Sequence, residues 1–162
     1  MRIILIILFT IAANASTSSV ALEVADIQVD WKHRNGDIEF TIVAPTSGWV
    51  ALGFNDVNSI VGAELIMANV KDGEAHAKHF YVVGPGNPKP VKSLGRESIV
   101  LDVEGEIANG TISMKLLLED EIAGRAPLTL KSGENVFLIV AYSVSPDFDH
   151  HSRIREHISV KL

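Results

Sequence analysis

Apolar and polar residues alternate along most of this chain with a period of two, the spacing of strands and not of helices. Ile27, Val29 and Trp31 point one way with Asp26, Gln28 and Asp30 between them, and residues 37–43 repeat the pattern with Ile38, Phe40 and Ile42. Asn35-Gly36 between the two segments predicts a tight hairpin, because both central positions of that turn want positive φ. Pro45 to Gly48 turns the chain into a third strand over 49–54, so the first part reads as a meander. A polar loop over 55–59 leads to a strand over 64–70. Asp72-Gly73 marks a further turn, and 76–83 is expected to pair back. The stretch GPGNPKP at 84–90 holds too many breakers for a central strand.

The second half repeats the habit. Residues 97–103 and 111–118 are strand-like around Asn109-Gly110, with Ile112, Met114, Leu116 and Leu118 opposite Thr111, Ser113 and Lys115. Leu117 interrupts the alternation. Residues 119–125 read as a short helical turn or a loop. The continuous apolar run NVFLIVAYS at 135–143 predicts a strand buried on both faces. Ile158, Val160 and Leu162 alternate again at the end. About nine short strands with turn signals between them predict an all-β, antiparallel β-sandwich. Trp31, Phe40, Ile42, Leu116, Phe137 and Ile139 are expected in or beside its core.

Composition narrows the class. With 162 residues, 47% hydrophobic and 21% charged, the chain is long enough for one domain with a full core. Residues 3–13 form an apolar run behind Arg2, too short to span a bilayer, and Ala13, Ala15, Ser19 and Ala21 follow as small residues. This predicts a signal peptide over 1–21, cleaved after Ala15 or Ala21, and a folded domain over 22–162. The expected location is therefore periplasmic or extracellular, with no integral membrane segment after the signal is removed. Cysteine is absent, which excludes disulfides, thiolate metal sites and covalent haem attachment, so any cofactor is held non-covalently. The formal charge of −6 and the lack of a basic block argue against nucleic acid or anionic membrane as partners.

Candidate chemistry is sparse. No Gly-x-Ser-x-Gly elbow, phosphate loop or His-Glu-x-x-His helix is present, so nothing points to a hydrolase. The late cluster Asp147-Phe148-Asp149-His150-His151, followed by Arg153, Arg155 and His157, reads either as a solvated loop or as a place where a neutral imidazole ligates a metal. His76 and His79, three apart on a strand, fall on opposite faces, which argues against a shared metal, so surface positions are expected for both. Met67 and Met114 fit the apolar pattern of a core, though a thioether is also able to serve as an axial ligand. Ala63, Leu65 and Met67 share one face by parity. Within 48–70, the small residues Gly48, Ala51, Gly53, Gly62 and Ala63 leave room for something bulky against the backbone.

Trp31, then GWVALGF at 48–54, GAELIMANVKDG at 62–73, the LLLEDE segment, the strand ending LIVAYS, and finally His151, Arg155 and the terminal VKL together resemble a DOMON domain. This is the module named from the N-terminal region of dopamine beta-monooxygenase, and it is similar to the cytochrome domain of cellobiose dehydrogenase. The resemblance implies an immunoglobulin-like β-sandwich that in many members holds haem b between a Met and a His and passes single electrons to a redox partner protein. In other members it binds a carbohydrate or another small ligand without catalysis. By position it implies His151 as the axial ligand to haem iron, with Trp49 and Arg155 among the cofactor-binding residues. The family's Met precedes the Gly-Ala-acid element, where this chain has Ile60 or Val61, neither able to coordinate iron. Met67 is then the remaining thioether for the axial role. The expectation is an exported, haem b-binding, cytochrome-like electron-transfer module, a redox accessory domain and not an enzyme. The alternative is a haem-free module for a small ligand.

Overall fold

The computed structural model describes residues 20–162. Eleven strands follow in chain order: β1 (Val20–Val24), β2 (Ile27–Arg34), β3 (Asp37–Ala44), β4 (Val50–Asn55), β5 (Glu64–Lys71), β6 (Glu74–Gly84), β7 (Asn87–Pro90), β8 (Val100–Ala108), β9 (Thr111–Glu119), β10 (Asn135–Tyr142) and β11 (Ile154–Lys161). They form a five-stranded sheet, β1-β2-β3-β9-β8, and a six-stranded sheet, β11-β10-β4-β5-β6-β7. All pairings are antiparallel, and the two sheets pack as the expected immunoglobulin-like sandwich.

Alternation decides which residues meet between the sheets. Ile27, Val29 and Trp31 of β2, Ile38, Phe40 and Ile42 of β3, and Leu116 and Leu118 of β9 face Val50, Leu52 and Phe54 of β4, Ile66 of β5, and Leu138 and Val140 of β10 in one buried cluster. Phe40 joins the layers, with its ring centroid 5.3 Å from Phe54 and 6.1 Å from Trp31. Complete burial of a side chain of this size stabilises the fold by roughly 1.5–3 kcal/mol.

Trp31, Phe40, Ile42 and Leu116 occupy the core as the pattern predicts. Two residues of β10 lie outside that cluster. Phe137 is half-buried, and Ile139, though buried, belongs to a separate cluster with Ala63 and Val82. The apolar run of β10 conceals its parity, and the residues that enter the sandwich are Val136, Leu138 and Val140. β1 was not anticipated either. It joins β2 through Ala25 and Asp26 at φ 47° and 64°, a turn without the usual Gly or Asn signal. By contrast Asn35-Gly36 adopts the predicted positive φ values, 45° and 95°.

The breaker-rich stretch supplies β7, which pairs only with β6 and so tolerates its prolines at the sheet edge. β8 starts later and runs further than expected. Residues 119–125 hold no helix, and the helical turn found among the described residues is the 3-10 segment Val91–Leu94. The expected signal peptide lies outside the described residues except for its last two positions. Val20 and Ala21 pair with Trp31 and Asp30, so cleavage after Ala15 leaves β1 whole and cleavage after Ala21 cuts into it.

Candidate functional site

The outward face of the six-stranded sheet is built in rows by the strand register. One row runs Arg155, Ala141, Ala51, Met67, Lys78, and the next runs His157, Ile139, Gly53, Leu65, Phe80. Small residues therefore occupy the middle of both rows. A Cβ on Gly53 would stand 3.0 Å from the Ile139 Cβ and 3.4 Å from a Leu65 methyl, so its absence lets those two side chains close over the backbone. Trp49, Ala51, Met67 and Ala141 form one buried cluster here, with Leu65, Phe80 and Phe148 against it.

Two loops raise walls on this floor. The first, between β4 and β5, carries Ile60. Asn55 Nδ2 donates to the carbonyls of Ser59 at 2.7 Å and Val61 at 3.2 Å, and Arg125 Nη2 donates to the Gly62 carbonyl at 2.6 Å. The second, between β10 and β11, carries His150 and His151. It is tied down by Asn69 Nδ2 donating to the Pro146 carbonyl at 2.6 Å, Trp49 Nε1 donating to the His150 carbonyl at 3.1 Å, and the Trp49 amide donating to the Ser145 carbonyl at 3.0 Å. Gly48 permits this close approach, since a Cβ there would sit only 2.1 Å from the Ser143 carbonyl oxygen.

Between the walls lies a cleft of about 330 Å³, lined by Trp49, Ile60, Met67, His151 and Arg155 among others. All five residues singled out in the sequence thus border one space. Trp49 and Met67 are buried, Ile60 is half-buried, and His151 and Arg155 are exposed at the lip. Leu65 shares the face of Met67 as parity predicts, and Ala63 sits in the adjoining cluster with Leu65 and Ile60. Phe148 and Ile139 also line the cleft, and neither is recognisable as a site residue from local pattern. Among the described residues no group of three or more His, Asp or Glu is placed to hold a bare metal ion.

His79 corrects the expectation of a surface histidine. It is 5% exposed and its Nε2 lies 2.9 Å from Glu64 Oε2, whereas His76 is exposed. The Ile99 amide donates to His79 Nδ1 at 3.3 Å, so Nδ1 carries the lone pair and Nε2–H donates to the carboxylate. Arg96 Nη2 bonds Glu64 Oε1 at 2.9 Å, and Arg125 Nε lies 2.9 Å from the same oxygen in charge contact without hydrogen-bond geometry. Both guanidiniums stack on Tyr81, at 5.6 and 5.0 Å from its centroid. Burial on its own raises the pKa of Glu64, but hydrogen bonds from His79 and Arg96 outweigh it and hold the carboxyl below its usual range. Because Arg125 also grips Gly62, this buried charge cluster fixes the loop that presents Ile60.

Arg155 has no ion-pair partner among the described residues. Its neighbour on the same face, His157, has its pKa lowered first by burial and then by the Arg155 charge. The lip thus carries the Arg155 guanidinium, with Asp149 lining the same cleft.

Known proteins resemble this chain in sequence and in fold. It is 33% identical over 76 residues to MOXD1 homolog 2 of Drosophila melanogaster, covering 47% of this chain and 10% of that protein. It is 30% identical over 95 residues to the DOMON domain-containing protein FRRS1L of Mus musculus, covering 57% of this chain and 30% of that protein. The chain therefore spans well under half the length of these relatives. Among solved structures, the cytochrome b domain of pyranose dehydrogenase from Coprinopsis cinerea superposes with a TM-score of 0.62 at 11% identity, over 90% of this chain and 81% of that one. The cytochrome domain of Myriococcum thermophilum cellobiose dehydrogenase gives 0.59 at 9% identity, over 89% and 81%. At such identities the likeness is one of fold. The DOMON domain model matches residues 23–142, ending just before the histidine loop, and on that match the chain belongs to the DOMON domain family.

Proposed function

We propose that the outward cleft of the six-stranded sheet holds haem b, and that the protein is an exported one-electron carrier, a redox accessory module and not an enzyme. The observation that carries this reading is convergence. Trp49, Ile60, Met67, His151 and Arg155 come from well-separated stretches of chain and border one space whose floor is Ala51 and Ala141, with Gly53 alongside. The donor set suits the group: a flat apolar bed, an imidazole pair at the lip, and an unpaired guanidinium able to receive carboxylates. Bound there, haem supplies reversible one-electron exchange.

The chain's own residues do the rest. Trp49, Leu65 and Phe148 would exclude water from the floor, one imidazole of His150 or His151 would provide a nitrogen ligand, and Arg155 would orient the anionic edge. Ile60 packs without a donor atom, which leaves Met67 as the one thioether on the cleft among the described residues. Solvent exposure of the lip suits exchange with a redox partner protein. The resemblance in fold to cytochrome domains supports this reading.

A haem-free module for a carbohydrate or other small ligand is the second reading. A second pocket of about 930 Å³ shares Pro88, Phe148 and Asp149 with the cleft and is lined by Asn69, His76, Lys78 and Phe80 among others, whose polar groups favour a ligand with hydrogen-bonding groups.

The visible spectrum of the full chain with added haemin separates the two. The haem reading expects a shifted Soret band of largely high-spin character, converted towards low-spin by Ile60→Met. A low-spin spectrum lost in Met67→Leu assigns Met67 as the second ligand. No Soret shift at all leaves the small-ligand reading.

A further inference from the structure

We propose that His150, and not His151, presents the ligating imidazole nitrogen to the cleft, with Ser143 as the positioning residue that fixes its tautomer; this rests on the haem reading above. His150 Nδ1 lies 3.0 Å from the His151 carbonyl oxygen and 3.0 Å from Ser143 Oγ. A carbonyl oxygen only accepts, so a contact of this length requires the proton on Nδ1. Ser143 agrees. Its hydroxyl proton goes to the His151 carbonyl at 2.9 Å, so towards Nδ1 its oxygen accepts, as it also does from the Ser145 amide at 3.2 Å.

The neutral ring of His150 therefore carries its lone pair on Nε2. That atom has no hydrogen-bond partner among the described residues, and His150 lines the cleft. Imidazoles that bind metals generally donate their other N–H to an orienting acceptor, and here two acceptors are already in place.

The backbone of His150 is equally fixed. Its amide donates to the Asp147 carbonyl at 3.0 Å, and its own carbonyl receives Trp49 Nε1 at 3.1 Å. Ser143 is fully buried, and its amide donates to the Trp49 carbonyl at 2.9 Å. One unit, Trp49 with Ser143, thus holds both ring and backbone. His151 differs. Its carbonyl is used twice, but its ring makes no hydrogen bond among the described residues and would have to be ordered at the moment of binding.

Haemin titration of the full chain, its His150→Ala and His151→Ala variants and the double variant provides the test, with far-ultraviolet circular dichroism confirming each fold. The expected result is that His150→Ala weakens haemin binding by roughly a hundredfold or more and regains the parental Soret band on adding free imidazole, while His151→Ala stays within about threefold of the parent. Nitrogen-15 NMR of the haem-free chain should find the Nδ1–H tautomer at His150, and Ser143→Ala should lose that preference and weaken binding about tenfold. Loss of binding in His151→Ala with retention in His150→Ala overturns the proposal, as does an Nε2–H tautomer at His150. Parental binding in the double variant also overturns it, while leaving the haem reading standing on another ligand. Absence of haemin binding in the parent chain brings down the haem reading itself.

Discussion

The two sheets turn very different faces outward. On the five-stranded sheet Lys32, Arg34, Glu39, Glu104 and Lys115 stand outside and pair across strands: Lys32 to Glu39 at 2.7 Å, Arg34 to Glu39 at 3.0 Å, and Lys115 to Glu104 at 3.2 Å. On the six-stranded sheet the outward rows hold Ala51, Met67, Ala141, Leu65 and Ile139, walled by two anchored loops. A sandwich needs only one apolar face per sheet, as the first sheet illustrates. A second apolar face floored by small residues exceeds what folding requires, and the proposed haem site rests on that excess.

Breaking the inner layer should have the largest effect. Phe40→Ala removes a fully buried ring that joins the sheets, and urea unfolding should register a loss of about 3–5 kcal/mol. A loss in the same range, about 3–5 kcal/mol, is expected for Glu64→Gln at neutral pH, because Arg96, Arg125 and His79 are left facing a neutral group. That loss depends on pH. With a folded pKa below its ordinary value, Glu64 stabilises fully above about pH 4.5, and the contribution disappears as pH falls through the lowered value. The parent and Glu64→Gln should therefore converge in stability in acid.

Smaller effects sharpen the contrast between the outward faces. Ala51 is buried beside Trp49, Met67 and Ala141 on the floor of the cleft, so Ala51→Leu should cost about 1–3 kcal/mol of unfolding free energy while filling the cleft and weakening ligand retention. Lys115→Ala, in an exposed pair, should change stability by about 0.5 kcal/mol or less, and less still in high salt.

The layered architecture was legible because most strands alternate cleanly. The four alternating apolar residues of β9, Ile112, Met114, Leu116 and Leu118, are all buried, and the turn at Asn35-Gly36 has the geometry its residues demand. Legibility failed where both faces of a strand are apolar. In β10 that concealed parity, so Phe137 and Ile139 could not be told from the residues that enter the sandwich. It failed also where a partner is distant in sequence. His79 looks like a surface residue until β5 and β6 pair and bring Glu64 to it, fifteen positions away.

The candidate site was legible in its members but not in their geometry. Parity placed Met67 with Leu65, and family position singled out Ile60, His151 and Arg155. Nothing local distinguishes His150 from His151, because the difference lies in Ser143, seven residues earlier and just past the end of β10. Nor could spacing reveal that Gly48 lets the histidine loop lie against the start of β4.

The haem reading puts the cofactor in the outward cleft and not in the space between the sheets. Haemin titration of the parent chain beside Ala51→Leu tests it most directly, with Phe40→Leu as an inner-layer control. The account predicts saturable one-to-one binding with a Soret shift in the parent and in Phe40→Leu, and at least about tenfold weaker binding in Ala51→Leu. Equal binding by the parent and Ala51→Leu, or no saturable binding by the parent, would contradict it.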